Sequence, residues 1–217
     1  MPARLAIFDL DGTLADTIAD IALTMNAVLS ARGYPEHSLD DYRRFVGNGV
    51  AALSQRVVPA EDVAVAPELV GDFRELYPSR MLDNTLPFPG ISEMLDALVE
   101  DGVRLAVLSN KPHDMTVAMC HRLFDDRPFE PVWGQMPRWP VKPDPSSALE
   151  IARLRGIDAA GCVFVGDSGV DMATGKSAGM TSIGVLWGFR GREELLEQGA
   201  DGLARTAREL GELILEA

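Results

Sequence analysis

Two textures alternate along the chain. Short apolar runs that end in polar or glycine residues predict buried parallel strands at Leu5–Leu10, Arg104–Ser109, Cys162–Asp167 and Thr181–Leu186. Helical patterns separate most of them. Pro89-Gly90 precedes one at about Ile91–Asp101, and Pro112 sits near the start of another that ends near Phe124. Pro145-Ser146 opens a third, to about Arg155, and Gly169 lies in the first turn of a fourth that ends at Gly179. Strand–helix alternation of this kind predicts the α/β class, with a parallel, Rossmann-like sheet covered by helices on both faces.

Residues 15–83 break the rhythm, with helical patterns at Thr17–Arg32, Leu39–Val46, Val50–Val57 and Glu61–Met81 and no strand between them. The run is too long for a crossover, so the expected organisation is an all-helical domain, 15–83, inserted after strand one. The core is then 1–14 with 84–217, and Asn84–Gly90, carrying Pro87 and Pro89, is the return linker. The tail, Glu193–Ala217, mixes charge with Leu at helical intervals and reads as packing.

Composition changes the picture in a few places. A net charge of −13 argues against a nucleic-acid partner, because a phosphate backbone is gripped by surplus Lys and Arg. It leaves room for a small phosphorylated substrate, since one divalent cation and one placed Lys can reverse the local field. The two cysteines, Cys120 and Cys162, read as buried thiols in a reducing cytosol. The longest uncharged run, Ser177–Phe189, is too short to cross a bilayer, and Asp9 interrupts the only apolar stretch near the N-terminus. No membrane partner and a cytoplasmic location are therefore expected; oligomeric state is not legible.

Four pieces carry chemistry. In Asp9-Leu10-Asp11-Gly12-Thr13, the loop past the strand lets both carboxylates approach one site. A carboxylate attacks phosphorus effectively when a metal fixes its geometry and screens anion–anion repulsion, and a second carboxyl can move the protons. Gly12 allows the tight turn and Thr13 can position it. Taken singly, the pair reads equally well as turn and helix-capping carboxylates. An EF-hand loop fits worse, because Leu14 stands where its glycine belongs and Asp20 replaces the closing Glu. Ser109-Asn110 ends a strand, where a hydroxyl and backbone N–H groups can hold a phosphoryl oxygen. Lys142 sits in Val141-Lys142-Pro143-Asp144-Pro145, whose prolines would fix where the ammonium points. In Gly166-Asp167-Ser168-Gly169-Val170-Asp171 a further carboxylate suits Mg²⁺, with Asp171 one helical turn on. Three of these pieces end separate expected strands, so they would gather at the carboxyl edge of one sheet.

The set resembles the haloacid dehalogenase superfamily, whose phosphatases carry Asp-x-Asp-x-Thr, Ser or Thr, Lys, and Gly-Asp-x-x-x-Asp in this order. That resemblance implies Asp9 as nucleophile and Asp11 as general acid and base, with Mg²⁺ held by Asp9, the Asp11 backbone carbonyl and Asp167, supported by Asp171. It implies that Ser109, Asn110, Thr13 and Lys142 hold the phosphoryl group, and that the insert is a helical cap. Phe8–Leu14, Val46-Gly47-Asn48-Gly49, Ser109-Asn110-Lys111-Pro112 and Phe164–Ser168 are nearest to bacterial phosphoglycolate phosphatases, which implies that Gly47, Asn48 and Gly49 face the site. Trp133–Pro140 departs from that pattern and would reshape the mouth of the site. The implied partner is a small phosphorylated metabolite. A sugar phosphomutase or pyrophosphatase of the same superfamily is the alternative, although mutases tend to carry Glu where this chain has Gly166. A phosphoaspartate signalling module is the alternative of another class. His37, His113 and His121 have no metal or triad spacing, and Arg43 and Arg44 read as a solvated helix face.

Overall fold

The computed structural model describes residues 3–217. Strand β1 (Leu5–Phe8) is fully buried. Its alternate side chains divide between two cores, Ala6 and Phe8 entering one and Leu5 and Ile7 the other. After it come β2 (Ala15–Asp16), α1 (Ile18–Ala31), α2 (Leu39–Phe45), α3 (Gly49–Arg56), α4 (Ala66–Leu76) and β3 (Leu86–Pro87). The remainder alternates: α5 (Ile91–Glu100), β4 (Arg104–Pro112), α6 (His113–Phe124), β5 (Phe129–Gln135), α7 (Ser146–Arg155), β6 (Cys162–Gly166), α8 (Gly169–Ala178), β7 (Thr181–Val185), α9 (Arg192–Glu197), β8 (Gly202–Ala204) and α10 (Ala207–Glu216).

Six strands form one parallel sheet in the order β5-β4-β1-β6-β7-β8. The chain builds outward from β1 through β4 to β5, then returns to β6 on the other side. This reversal opens a crevice at the carboxyl ends of β1, β4 and β6. Residues of α5, α6, α10 and the inserted helices share the larger core, and Ala148, Ile151 and Ala152 of α7 pack into the smaller one. The fold is thus α/β, a parallel-sheet core with a helical cap inserted after β1.

Several elements differ from the sequence expectation. The sheet holds β5 and β8 in addition to the expected strands. Both are edge strands, where Pro131 is tolerated without losing a ladder bond, and β8 is only three residues long inside a tail read as helical packing. Strand β4 continues past Ser109 to Pro112, with an irregular register against β5. The expected helix Glu61–Met81 is broken into a 3₁₀ segment Ala60–Val65, α4, and a 3₁₀ turn Tyr77–Ser79, with Pro67 and Pro78 at the breaks. Part of the return linker is a strand: β3 pairs antiparallel with β2, Ala15 against Pro87 and Asp16 against Leu86, so both connections to the insert are laced together. Among the described residues no helix is long and apolar enough to cross a membrane.

Candidate active site

Immediately past β1, Asp9 N–H donates to Val165 of β6 at 2.9 Å, so this residue still belongs to the sheet edge. The chain then turns sharply, with the Leu10 carbonyl accepting from the N–H groups of Thr13, Leu14 and Ala15 at 3.3, 3.0 and 3.1 Å. Gly12 makes the turn with φ +83°, and a Cβ there would lie 2.4 Å from Asp167 Oδ2. The turn brings Asp9 and Asp11 to one cavity of about 50 Å³, which Ser109, Asn110, Lys111 and, from the inserted segment, Gly47, Gly49, Phe73 and Tyr77 also line.

Beneath the cavity, Asp9, Asp167 and Asp171 offer carboxylate oxygens all within 4.8 Å of one another. Lys142 Nζ lies 2.9 Å from Asp9 Oδ1 and 2.6 Å from Asp171 Oδ1. The other Asp171 oxygen accepts from Ser168 N at 3.1 Å and Ser168 Oγ at 2.6 Å, which caps α8 and fixes that carboxylate. Asp167 Oδ2 accepts from Phe189 N at 2.6 Å. Asn110 holds the lysine loop by its backbone: its Oδ1 accepts from Lys142 N at 2.9 Å, and its Nδ2 lies 3.1 Å from the carbonyls of both Lys142 and Gly47. Ser109 Oγ accepts from Lys111 N at 3.3 Å.

The electrostatics follow from this burial. Burial raises the Asp9 carboxyl to about 6, opposed by Lys142 and assisted by Asp171 and Asp11. Asp167 is raised well above the usual range by burial, then by Asp171 and Asp9. Burial alone would lower Lys142, but the Asp171 and Asp9 carboxylates outweigh it and hold the ammonium charged. The four carboxylates of Asp9, Asp11, Asp167 and Asp171 face two ammonium groups, Lys111 and Lys142. The carboxylates outnumber these ammonium groups even with the Arg190 charge acting on Asp167, and the net negative, oxygen-rich pocket suits a hard divalent cation.

Thr13 is buried and does not line the cavity; its carbonyl accepts from Trp187 Nε1 at 3.0 Å. Asn48 does not line it either, since its side chain accepts from Arg56 Nη2 at 2.7 Å. Arg43 and Arg44 pair with Asp40 and Asp41 on the surface of α2. His37 bonds the Val57 carbonyl, His113 accepts from Gly134 N, and His121 pairs with Asp125. Trp133 and Trp139 stack with centroids 6.3 Å apart under Arg138, and line a second small cavity behind Ser109, Asn110 and Lys142.

Three residues at the site were not singled out from sequence. Lys111 reaches Asp11 and Tyr77, and Tyr77 itself comes from the turn after α4. The signal for Lys111 was strand alternation, which puts it on the side of Ser109. Arg190, beyond β7, donates to the Arg43, Arg44 and Val46 carbonyls and so ties the core to the loop after α2. Nothing local in the sequence marks it.

The sequence profile of a family described as haloacid dehalogenase-like hydrolase matches residues 6–185. A Caulobacter vibrioides protein named phosphoglycolate phosphatase is 36% identical over 199 residues, covering 89% of this chain and 83% of that one. A Xanthomonas campestris protein of the same name is 32% identical over 210 residues, covering 96% and 95%. A crystal structure from Lactobacillus delbrueckii subsp. bulgaricus, provisionally described as a phosphoglycolate phosphatase, superposes with a TM-score of 0.92 at 30% identity over 100% of both chains. With carboxylates, lysine and hydroxyl on the strand ends that this similarity spans, the chain belongs to the haloacid dehalogenase-like hydrolases.

Proposed function

We propose that the protein is a Mg²⁺-dependent phosphatase that moves the phosphoryl group of a small phosphorylated metabolite onto Asp9 and then hydrolyses the aspartyl-phosphate. The observation that carries this reading is the Asp9 carboxylate, buried against Lys142 in a cavity it shares with Asp11 and Ser109. The names of the relatives make phosphoglycolate the leading substrate.

Asp9, the Asp11 backbone carbonyl and Asp167 would hold the cation, with Asp171 in support. Bound there, Mg²⁺ supplies the positive charge that screens the nucleophile from the phosphoryl oxygens. An Asp9 oxygen attacks phosphorus while the bond to the leaving oxygen breaks with its electron pair. The Asp11 carboxyl protonates that oxygen as it departs. Asp11 then takes a proton from water, whose oxygen attacks the phosphorus and returns Asp9 to the carboxylate. Lys142 pairs with the phosphoryl oxygens and holds Asp9 in place, and Ser109 Oγ with nearby backbone N–H groups binds a non-bridging oxygen. Residues 15–83 act as the cap that excludes bulk water while the intermediate lives.

Gly166 supports hydrolysis over phosphomutase chemistry: a Cβ there would lie 2.2 Å from Asp171 Cβ, so a Glu does not fit beside this carboxylate arrangement. The roof of inserted helices over Asp9 supports turnover over phosphoaspartate signalling.

The test is phosphate release from a panel of small phosphate esters, with Mg²⁺ and with chelator. Release is expected only with Mg²⁺, and Asp9→Asn is expected to abolish it. Unchanged turnover by that variant refutes the mechanism.

A further inference from the structure

Lys111 follows Ser109 along β4, and its side chain is 4% exposed. Its ammonium lies 3.0 and 3.3 Å from the two Asp11 oxygens and 2.9 Å from Tyr77 Oη. Lys111 is the only cationic side chain among the residues lining the nucleophile's cavity. From the inserted segment the same cavity is lined by Ile21, Val46, Val50, Leu53 and Phe73, none of which can hold a charge. Among the residues lining this cavity, Lys111 is therefore the one side chain that offers a positive charge to an anionic group on the leaving side of a substrate.

Tyr77 adds a second donor. Its oxygen accepts from Lys111, and its own hydroxyl hydrogen has no acceptor among the described residues. Burial raises this phenol to about 12, so it keeps that hydrogen. An ammonium and a free O–H that converge on one point suit a compact acceptor with two oxygens. The cavity is small as well, at about 50 Å³.

We propose that Lys111, with the Tyr77 hydroxyl, is the specificity site for a carboxylate on a short leaving group, and that the ammonium exchanges Asp11 for this carboxylate when substrate binds. The assignment rests on the phosphatase reading and adds to it the residues that choose the substrate. Two- or three-carbon acid phosphates are then preferred over neutral alcohol phosphates of equal size.

Calorimetric binding of 3-phosphonopropionate and propylphosphonate, in the presence of Mg²⁺, tests it. These compounds are not hydrolysed and differ in the terminal carboxylate. The native protein is expected to bind the first at least about 30-fold more tightly. Lys111→Met is expected to bring the ratio within about threefold while keeping its affinity for propylphosphonate, and Lys111→Arg to restore part of it. Tyr77→Phe, which removes only the hydroxyl, lowers the ratio about fivefold and serves if the Lys111→Met chain does not fold. The proposal is overturned if the native protein shows no preference, if neither variant lowers the ratio, or if Lys111→Met weakens both compounds equally. That last result would make Lys111 only a support for Asp11. Turnover of phosphoglycolate and ethyl phosphate is measured alongside: if the native protein hydrolyses neither, the phosphatase reading falls, while the binding ratio still decides the role of Lys111.

Discussion

Asp20 ties the two ends of the inserted segment together. It lies in the first turn of α1 and is 2% exposed. Its carboxylate accepts from Asn84 N at 3.0 Å, Asn84 Nδ2 at 2.7 Å, Thr85 N at 2.9 Å and Thr85 Oγ1 at 2.7 Å. Asp20→Ala leaves both Thr85 donors buried without an acceptor, at about 1–3 kcal/mol each, while the donors of exposed Asn84 turn to water. The expected loss is about 3–5 kcal/mol in urea unfolding at pH 7, with an unchanged denaturant slope. Asp20→Asn keeps the shape but presents an amide N–H₂ to donors, and loses about 2 kcal/mol. Burial alone would raise this carboxyl, but the Asn84 and Thr85 bonds outweigh it and hold it below 3.8. A depressed folded value means that the stabilisation is present above 3.8 and is lost as pH falls through the folded value. The stability gap between native protein and Asp20→Asn is therefore flat from pH 7 to about pH 5 and shrinks below about pH 4. A loss under about 1 kcal/mol for Asp20→Ala, or a gap that does not narrow between about pH 4 and pH 2.5, refutes the clasp.

Two further substitutions probe other joints. Gly12→Ala forces a Cβ to within 2.4 Å of Asp167 Oδ2 at φ +83°, so urea unfolding should show a loss of about 2–3 kcal/mol and activity should fall by at least about 100-fold. Arg190→Ala removes the donors that hold the Arg43, Arg44 and Val46 carbonyls. Steady-state kinetics should show KM rising about tenfold with a smaller change in kcat, and limited proteolysis should cut faster between α2 and α3.

The α/β alternation was legible because strands buried on both faces read as unbroken apolar runs, as Leu5–Phe8 does. Strand β5 was not, because Pro131 and Gly134 interrupt its pattern: an edge position tolerates the proline, and Gly134 packs so close that a Cβ would lie 2.4 Å from Thr116 Oγ1 and 2.5 Å from the Lys111 carbonyl. The four chemical pieces were visible because each is contiguous and ends or follows a strand, so the topology alone carries them to one edge. Lys111 and Tyr77 were hidden for the opposite reason. The Lys111 ammonium meets Asp11 from 100 residues away and Tyr77 from 34 residues away; strand alternation puts Lys111 on the side of Ser109, but no local pattern names these partners. Asn48 shows the converse: the Gly-Asn-Gly loop does lie over the site, but Arg56 claims its side chain.

The central claim is that phosphate passes through Asp9. A single turnover with substrate in excess of its Kd, quenched in acid and reduced with borohydride, converts an aspartyl-phosphate into homoserine that peptide mass spectrometry locates. Homoserine at position 9, absent in Asp9→Asn and in chelator, is the predicted result. Phosphate release from the native protein with no reduction at position 9, or reduction at another carboxylate, contradicts the account.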